Sequence, residues 1–231
     1  MKKAVAEFLG TFFLTFAGIA AILSTTPAVT GGGGGQGAGL GGLVAIALAH
    51  GLALSVAVNA FGGISGAHIN PAVTAGMLVT GRIPGGLAVT YIVSQLAGAT
   101  IAAMACRGLF PADAVMQAKL GIPLPAAWAT TGMVLGMEFI LTFLLVTAVF
   151  GTAVDDRGAG VKIGGFGIGL TVTFDILAGG RVTGASMNPA RSFGPALVLG
   201  DFSWHWAYWV APIAGGCVAA LLYHHVLLER K

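Results

Sequence analysis

The tripeptides Asn70-Pro71-Ala72 and Asn188-Pro189-Ala190 occur once in each half of this chain. Asn is a strong N-cap and Pro is favoured at the first helical position, so each tripeptide starts a helix. A helix start carries partial positive charge on N–H groups that lack a partner in the helix. Each tripeptide follows a glycine-rich stretch, Gly62-Gly63-Ile64-Ser65-Gly66 in one half and Gly179-Gly180 through Gly184 in the other. One such motif would be an ordinary helix cap. Two at matching positions, if they meet in apolar surroundings, put two positive dipole ends and the amide donors of Asn70 and Asn188 at one point. That chemistry orients a small polar molecule and repels cations and protons. The glycines are expected to give the chain an extended path to this point.

Two acids recur in the same way. Glu7-Phe8-Leu9-Gly10-Thr11-Phe12 aligns with Glu138-Phe139-Ile140-Leu141-Thr142-Phe143. Carboxylates in apolar runs serve either a proton relay or structure. Their repetition favours structure: each accepts N–H groups of a buried loop, with Thr11 and Thr142 as polar neighbours one turn along. Cys106 and Cys217 fall in apolar runs and read as packing residues, with no metal-type spacing. Neither a nucleophile–base pair nor a metal cluster is visible. No catalytic residue, metal or cofactor is expected, and the chain is not read as an enzyme.

The elements that position these residues are legible in the composition. Of 231 residues, 56% are hydrophobic and 8% charged, with a mean hydropathy of +0.91. Soluble domains carry about a quarter charged residues, and disorder needs low hydrophobicity. The net charge of +3 is dispersed and suggests no nucleic-acid partner. An integral membrane protein in lipid remains, as one domain over 1–231. Six stretches are long enough to cross a bilayer: 5–23, 40–61, 87–106, 130–150, a short 164–178, and 208–228. The first is too long for the apolar core of a signal peptide. The stretches 71–80 and 189–199 are apolar but only half a membrane long, and read as re-entrant half-helices. The fold expected is therefore all-α, with six transmembrane helices, two half-helices and inverted three-helix repeats at about 4–110 and 127–228. Lys2, Lys3, Arg82, Arg157, Lys162, Arg230 and Lys231 fall on one side and Arg107, Lys119 and Arg181 on the other, which puts both termini inside. Gly31 to Gly39 reads as a flexible connection. His205 between Trp204 and Trp206 reads as an interfacial belt, and His224 with His225 as an inner-surface pair. Gly51, Gly98, Gly169 and Gly215 read as close helix crossings.

These residues resemble the aquaporin, or major intrinsic protein, family over essentially the whole chain, in a prokaryotic-type form. The resemblance rests on Ala6 to Phe12, on Ser65-Gly66-Ala67-His68-Ile69-Asn70-Pro71-Ala72-Val73-Thr74, and on Gly184 through Ala196. It implies a right-handed bundle, a homotetramer, and a pore in each protomer for water and small neutral solutes, closed to ions and protons, in the cell membrane. It also implies a four-residue constriction near the outer mouth at His50, Ile176, Ala185 and Arg191. Water-strict members carry Phe where His50 stands and His where Ile176 stands. The set here resembles that of plant tonoplast intrinsic proteins, which implies passage of ammonia, urea or hydrogen peroxide besides water. Glycerol channels of the family carry Asp where Ser192 stands, so glycerol is left open. A pore histidine at His50 is expected to make conduction pH-dependent. His68 is expected to act through its backbone carbonyl, and Asp175 to face a neighbouring helix or subunit.

Overall fold

In lipid, every backbone N–H and C=O must be paired inside its own segment, so apolar runs of this length become helices. The computed structural model describes residues 1–31, 39–159 and 163–229. Eight helices matter for the site: α1 (Lys2–Ser24), α2 (Leu40–Ser65), α3 (Pro71–Val79), α4 (Gly85–Leu109), α5 (Thr131–Val149), α6 (Gly164–Thr183), α7 (Pro189–Leu199) and α8 (Ala207–Leu222). Among the described residues, five helices are both long and apolar enough to cross a membrane: α1, α2, α4, α5 with its following turn, and α8 with its following turn. The sixth span is longer than its sequence suggested. α6 runs 20 residues, about 30 Å at 1.5 Å per residue, and is less apolar because it carries Asp175 and Arg181. α3 and α7 have 9 and 11 residues, half the membrane each. Most of the connection expected at 31–39 lies outside the described residues, as do Lys162, Arg230 and Lys231.

The halves interlock. α1 packs on α2 and α4, α5 packs on α6 and α8, and α2 against α6 joins them. Each half-helix lies mainly against the opposite half, α3 on α8 and α7 on α4. Glycines set these crossings. A Cβ at Gly98 would strike the Phe8 carbonyl, and one at Gly215 the equivalent Phe139 carbonyl. Gly51 and Gly169 face each other's carbonyls across α2 and α6. Close backbone approach replaces the hydrophobic drive that lipid cannot supply.

The glycine-rich stretches before the motifs are not extended as expected. Gly62 and Gly63 are helical within α2, and Gly179 and Gly180 within α6. A Cβ at Gly179 would press on Leu141 and Met137, so that glycine serves packing. The chain leaves helix only at Gly66 (φ 87°) and Gly184 (φ 83°), which close α2 and α6 as left-handed caps. Helical pairing persists at depth until a residue free of a Cβ releases it.

At one end of the bundle, α5 and α8 both finish in π-turns, Phe150–Val154 and Tyr223–Leu227, with ring centroids of Phe150 and Tyr223 5.9 Å apart. Arg157 ties these ends together. Its Nη2 donates to Asp155 Oδ2 at 2.6 Å and to the Leu227 carbonyl at 2.6 Å, while the Tyr223 hydroxyl donates to Asp155 at 3.1 Å. The guanidinium of Arg157 holds the Asp155 carboxyl well below the usual carboxylate range. A lowered carboxylate stabilises the fold above its unfolded value of about 3.9 and loses that contribution as pH falls. Asp155→Asn should therefore lower the thermal midpoint of the purified protein at neutral pH and flatten its fall between about pH 5 and pH 3. Thermal melts across that range check this, and an equal loss at both ends would contradict it.

Candidate functional site: a pore at two facing half-helices

The site is built on two buried carboxylates. Glu7 Oε1 accepts the Ser65 hydroxyl at 2.6 Å and the His68 N–H at 2.9 Å, and Oε2 accepts the Ile69 N–H at 2.7 Å and Gln95 Nε2 at 2.8 Å. Glu138 repeats the pattern with Thr183 at 2.6 Å, Ser186 N–H at 3.0 Å and Met187 N–H at 2.8 Å. Both side chains are fully buried. The loops they hold are strained. Ala67, Ile69, Ala185 and Met187 all have φ between 45° and 57°. Left-handed backbone in a residue with a Cβ persists only when the surroundings over-determine it, and here the carboxylates do so. Tyr91 donates to the Ser65 carbonyl at 2.6 Å and Tyr208 to that of Thr183 at 2.5 Å, fixing where each loop begins.

Thr11 and Thr142 do not touch the carboxylates. Each hydroxyl donates back to the carbonyl of Glu7 or Glu138 in its own helix. His68 engages Glu7 through its N–H, and its ring makes contacts of its own. Nδ1 lies 3.1 Å from Thr74 Oγ1, and the ring packs edge-on to Tyr91 at 5.0 Å.

The two loops meet at the Asn-Pro-Ala motifs. Asn70 Oδ1 caps α3 by accepting the Ala72 N–H at 2.8 Å, and Asn188 Oδ1 caps α7 by accepting the Ala190 N–H at 3.0 Å. Their amide nitrogens cross over. Asn70 Nδ2 donates to the Met187 carbonyl at 2.8 Å, and Asn188 Nδ2 to the Ile69 carbonyl at 2.9 Å. An amide nitrogen has two hydrogens, so each asparagine keeps one more donor. The arrangement locks the halves together and presents two fixed donors at two helix N-termini.

A cavity of about 350 Å³ runs past this centre. Asn70 and Asn188 line it, and so do His50, Ile176, Ala185 and Arg191. Arg191, the third residue of α7, is held on two sides. Nη1 donates to the Gly121 carbonyl at 2.6 Å, while Nε and Nη2 lie 3.4 and 3.3 Å from His50 Nε2. His50 Nδ1 lies 2.8 Å from the Ile46 carbonyl, which can only accept. The ring N–H is therefore on Nδ1, and Nε2 accepts from the guanidinium. Both ring nitrogens are committed in the neutral form, so the geometry gives no support to a pH switch at His50.

The repeat offset of 118 residues gives these four positions images in the other half: Ile168, Val58, Ala67 and Val73. All four images also line the cavity. The cation and the imidazole of this set thus have aliphatic images in the other half, while Arg82 and His68 line the cavity elsewhere.

Several further residues, none of them among the site residues expected from the sequence, position the loops or Arg191. Ser65 with Thr183, and Tyr91 with Tyr208, are polar residues at matched repeat positions, a signal sufficient to find them. Gln95 has Pro212 at its matched position, and Gly121 acts through a carbonyl on a left-handed turn at Lys119, Leu120 and Gly121, so neither is marked by its residue type. Asp175, expected to face a neighbouring helix or subunit, is fully buried, and its two carboxylate oxygens have no hydrogen-bond partner among the described residues.

An all-helical bundle with two half-helices meeting start to start defines a membrane-channel architecture. The family model described as Major intrinsic protein matches residues 1–223, and the chain belongs to that family. It is 45% identical over 235 residues to "Aquaporin TIP4-4" of Zea mays, covering 100% of this chain and 88% of the relative. It is 41% identical over 231 residues to "Aquaporin TIP2-1" of Arabidopsis thaliana, covering 99% and 88%. The solved structure of the aquaglyceroporin from Plasmodium falciparum shares the fold, with a TM-score of 0.85, 24% identity, and coverage of 98% and 96%.

Proposed function

We propose that the protein is a passive channel for water and small neutral solutes, with ammonia, urea and hydrogen peroxide as the solutes beyond water, and that it excludes ions and protons. One observation carries this reading: a single cavity holds both asparagine motifs and the set His50, Ile176, Ala185 and Arg191. Two helix N-termini and a fixed guanidinium make that path positive, which disfavours cations, while asparagine and arginine donors replace the hydrogen bonds of water. Ile176 and Ala185 leave one wall apolar and short, which favours solutes wider than water. The paired carboxylates are spent on loop N–H groups, which speaks against a proton-coupled transporter.

The chain acts as a homotetramer, by analogy with its family. Lys2, Lys3, Arg82 and Arg157 gather at the ends where α1 begins and α3, α5 and α8 finish, which supports cytoplasmic termini in a cell membrane. Replacing His50 by Phe and Ile176 by His together should keep water flux while lowering urea flux by about tenfold, equivalent to about 1.4 kcal/mol of barrier. Stopped-flow light scattering on proteoliposomes reads both fluxes. Unchanged solute selectivity would overturn the assignment of these residues to the constriction.

A further inference from the structure

We propose that Gly18 on α1 sets the bore of the outer constriction by seating the His50 ring, an inference that rests on the reading of His50 as a constriction residue. A Cβ built at Gly18 would strike His50 Nε2 and would lie 2.5 and 2.6 Å from Cε1 and Cδ2. The tip of the imidazole therefore occupies the space that any side chain at position 18 would fill. The end of a flexible side chain would step aside at little cost, but this ring is pinned. Nδ1 is bonded to the Ile46 carbonyl, and Nε2 faces Arg191, which is itself held by the Gly121 carbonyl. The open side is the cavity that His50 lines. A side chain at position 18 thus drives the ring into the lumen.

The repeat supplies an independent comparison. An offset of 131 residues takes Gly18 to Val149, and one of 118 takes His50 to Ile168. In that half the α5–α6 contact accommodates a β-branched residue at the position of Gly18, and Val149 and Ile168 both line the cavity directly. The helix crossing therefore does not itself require glycine. The requirement belongs to the ring placed behind it. Gly18 is a positioning residue, and selectivity at the outer end depends on a residue that does not line the pore.

The test is a double-mutant cycle on the full chain in proteoliposomes, with Gly18→Ala, His50→Ala and the two combined, read by stopped flow for water and urea. Gly18→Ala should lower urea flux about tenfold and water flux about threefold. His50→Ala should raise urea flux, and adding Gly18→Ala to it should change nothing further. If Gly18→Ala alone fails to assemble while the double variant assembles, the ring is the obstacle and the proposal stands. Equal effects of Gly18→Ala with and without His50, no effect on either flux, or failure of both variants to assemble would overturn it. Unchanged urea flux in His50→Ala alone would instead reject the constriction reading on which the proposal rests.

Discussion

Replacing Arg191 by valine should leave rapid water flux in place and raise proton and cation leak at least about tenfold. Valine is the residue that the repeat itself places at the inner image of this position, Val73. The substitution therefore makes the outer end resemble an aliphatic lining that the cavity already tolerates. What it removes is a full positive charge, 4% exposed, held by Gly121 and His50. Two unit charges about 4 Å apart repel by about 4 kcal/mol at an effective dielectric of about 20, so even partial screening leaves a barrier worth more than tenfold. The helix N-termini at Asn70 and Asn188 remain and keep exclusion from vanishing. The Gly121 carbonyl and His50 Nε2 lose a donor, which costs about 1–3 kcal/mol each where water cannot replace it. A pH-sensitive dye trapped in proteoliposomes measures the leak. A leak equal to that of the unmodified protein would show that the dipoles alone exclude charge.

Glu138→Gln should reduce the yield of folded protein severely, and Glu7→Gln less so. Glu138 accepts three donors, one hydroxyl and two backbone N–H groups, with no other side chain in the set. A glutamine there points an NH₂ group at a donor, so at least one loop N–H is left unpaired and the charge-assisted bonds weaken. Charge-assisted bonds contribute about 1.5–3 kcal/mol each, so the loss is about 3 kcal/mol or more. Glu7 differs through Gln95. Gln95 donates Nε2 to Glu7 while its Oε1 has no partner among the described residues. A flip of the Gln95 amide offers that oxygen to the NH₂ of a glutamine at position 7, which recovers part of the loss. Thermal midpoints and folded yield in detergent rank the two variants. Equal damage would mean that Gln95 does not compensate.

The architecture was legible because lipid leaves few choices: run length gives spans, and half-length runs beginning with Asn-Pro give half-helices. The repeat added the inverted topology and the pairing of Glu7 with Glu138. Two kinds of feature were hidden. Helix ends at Ser65 and Thr183 could not be placed, because glycine inside an apolar run is compatible with both helix and loop, and only Gly66 and Gly184 adopt positive φ. Contacts made by backbone or by missing atoms were also silent. Gly121 acts through its carbonyl and Gly18 through the absence of a Cβ, and neither leaves a pattern of residue types. His50 shows the same limit: its position pointed to the cavity, but its tautomer is set by the carbonyl of Ile46 and the guanidinium of Arg191, which only the folded chain brings together.

The central claim is passive conduction of neutral molecules with exclusion of charge. The most direct measurement is stopped-flow osmotic shrinkage of proteoliposomes holding the unmodified protein, with internal pH recorded under an imposed proton gradient. Water flux well above that of empty vesicles is expected, with no added proton entry and no solute accumulated against its gradient. Water flux equal to that of empty vesicles, or solute uptake driven by the proton gradient, would contradict it.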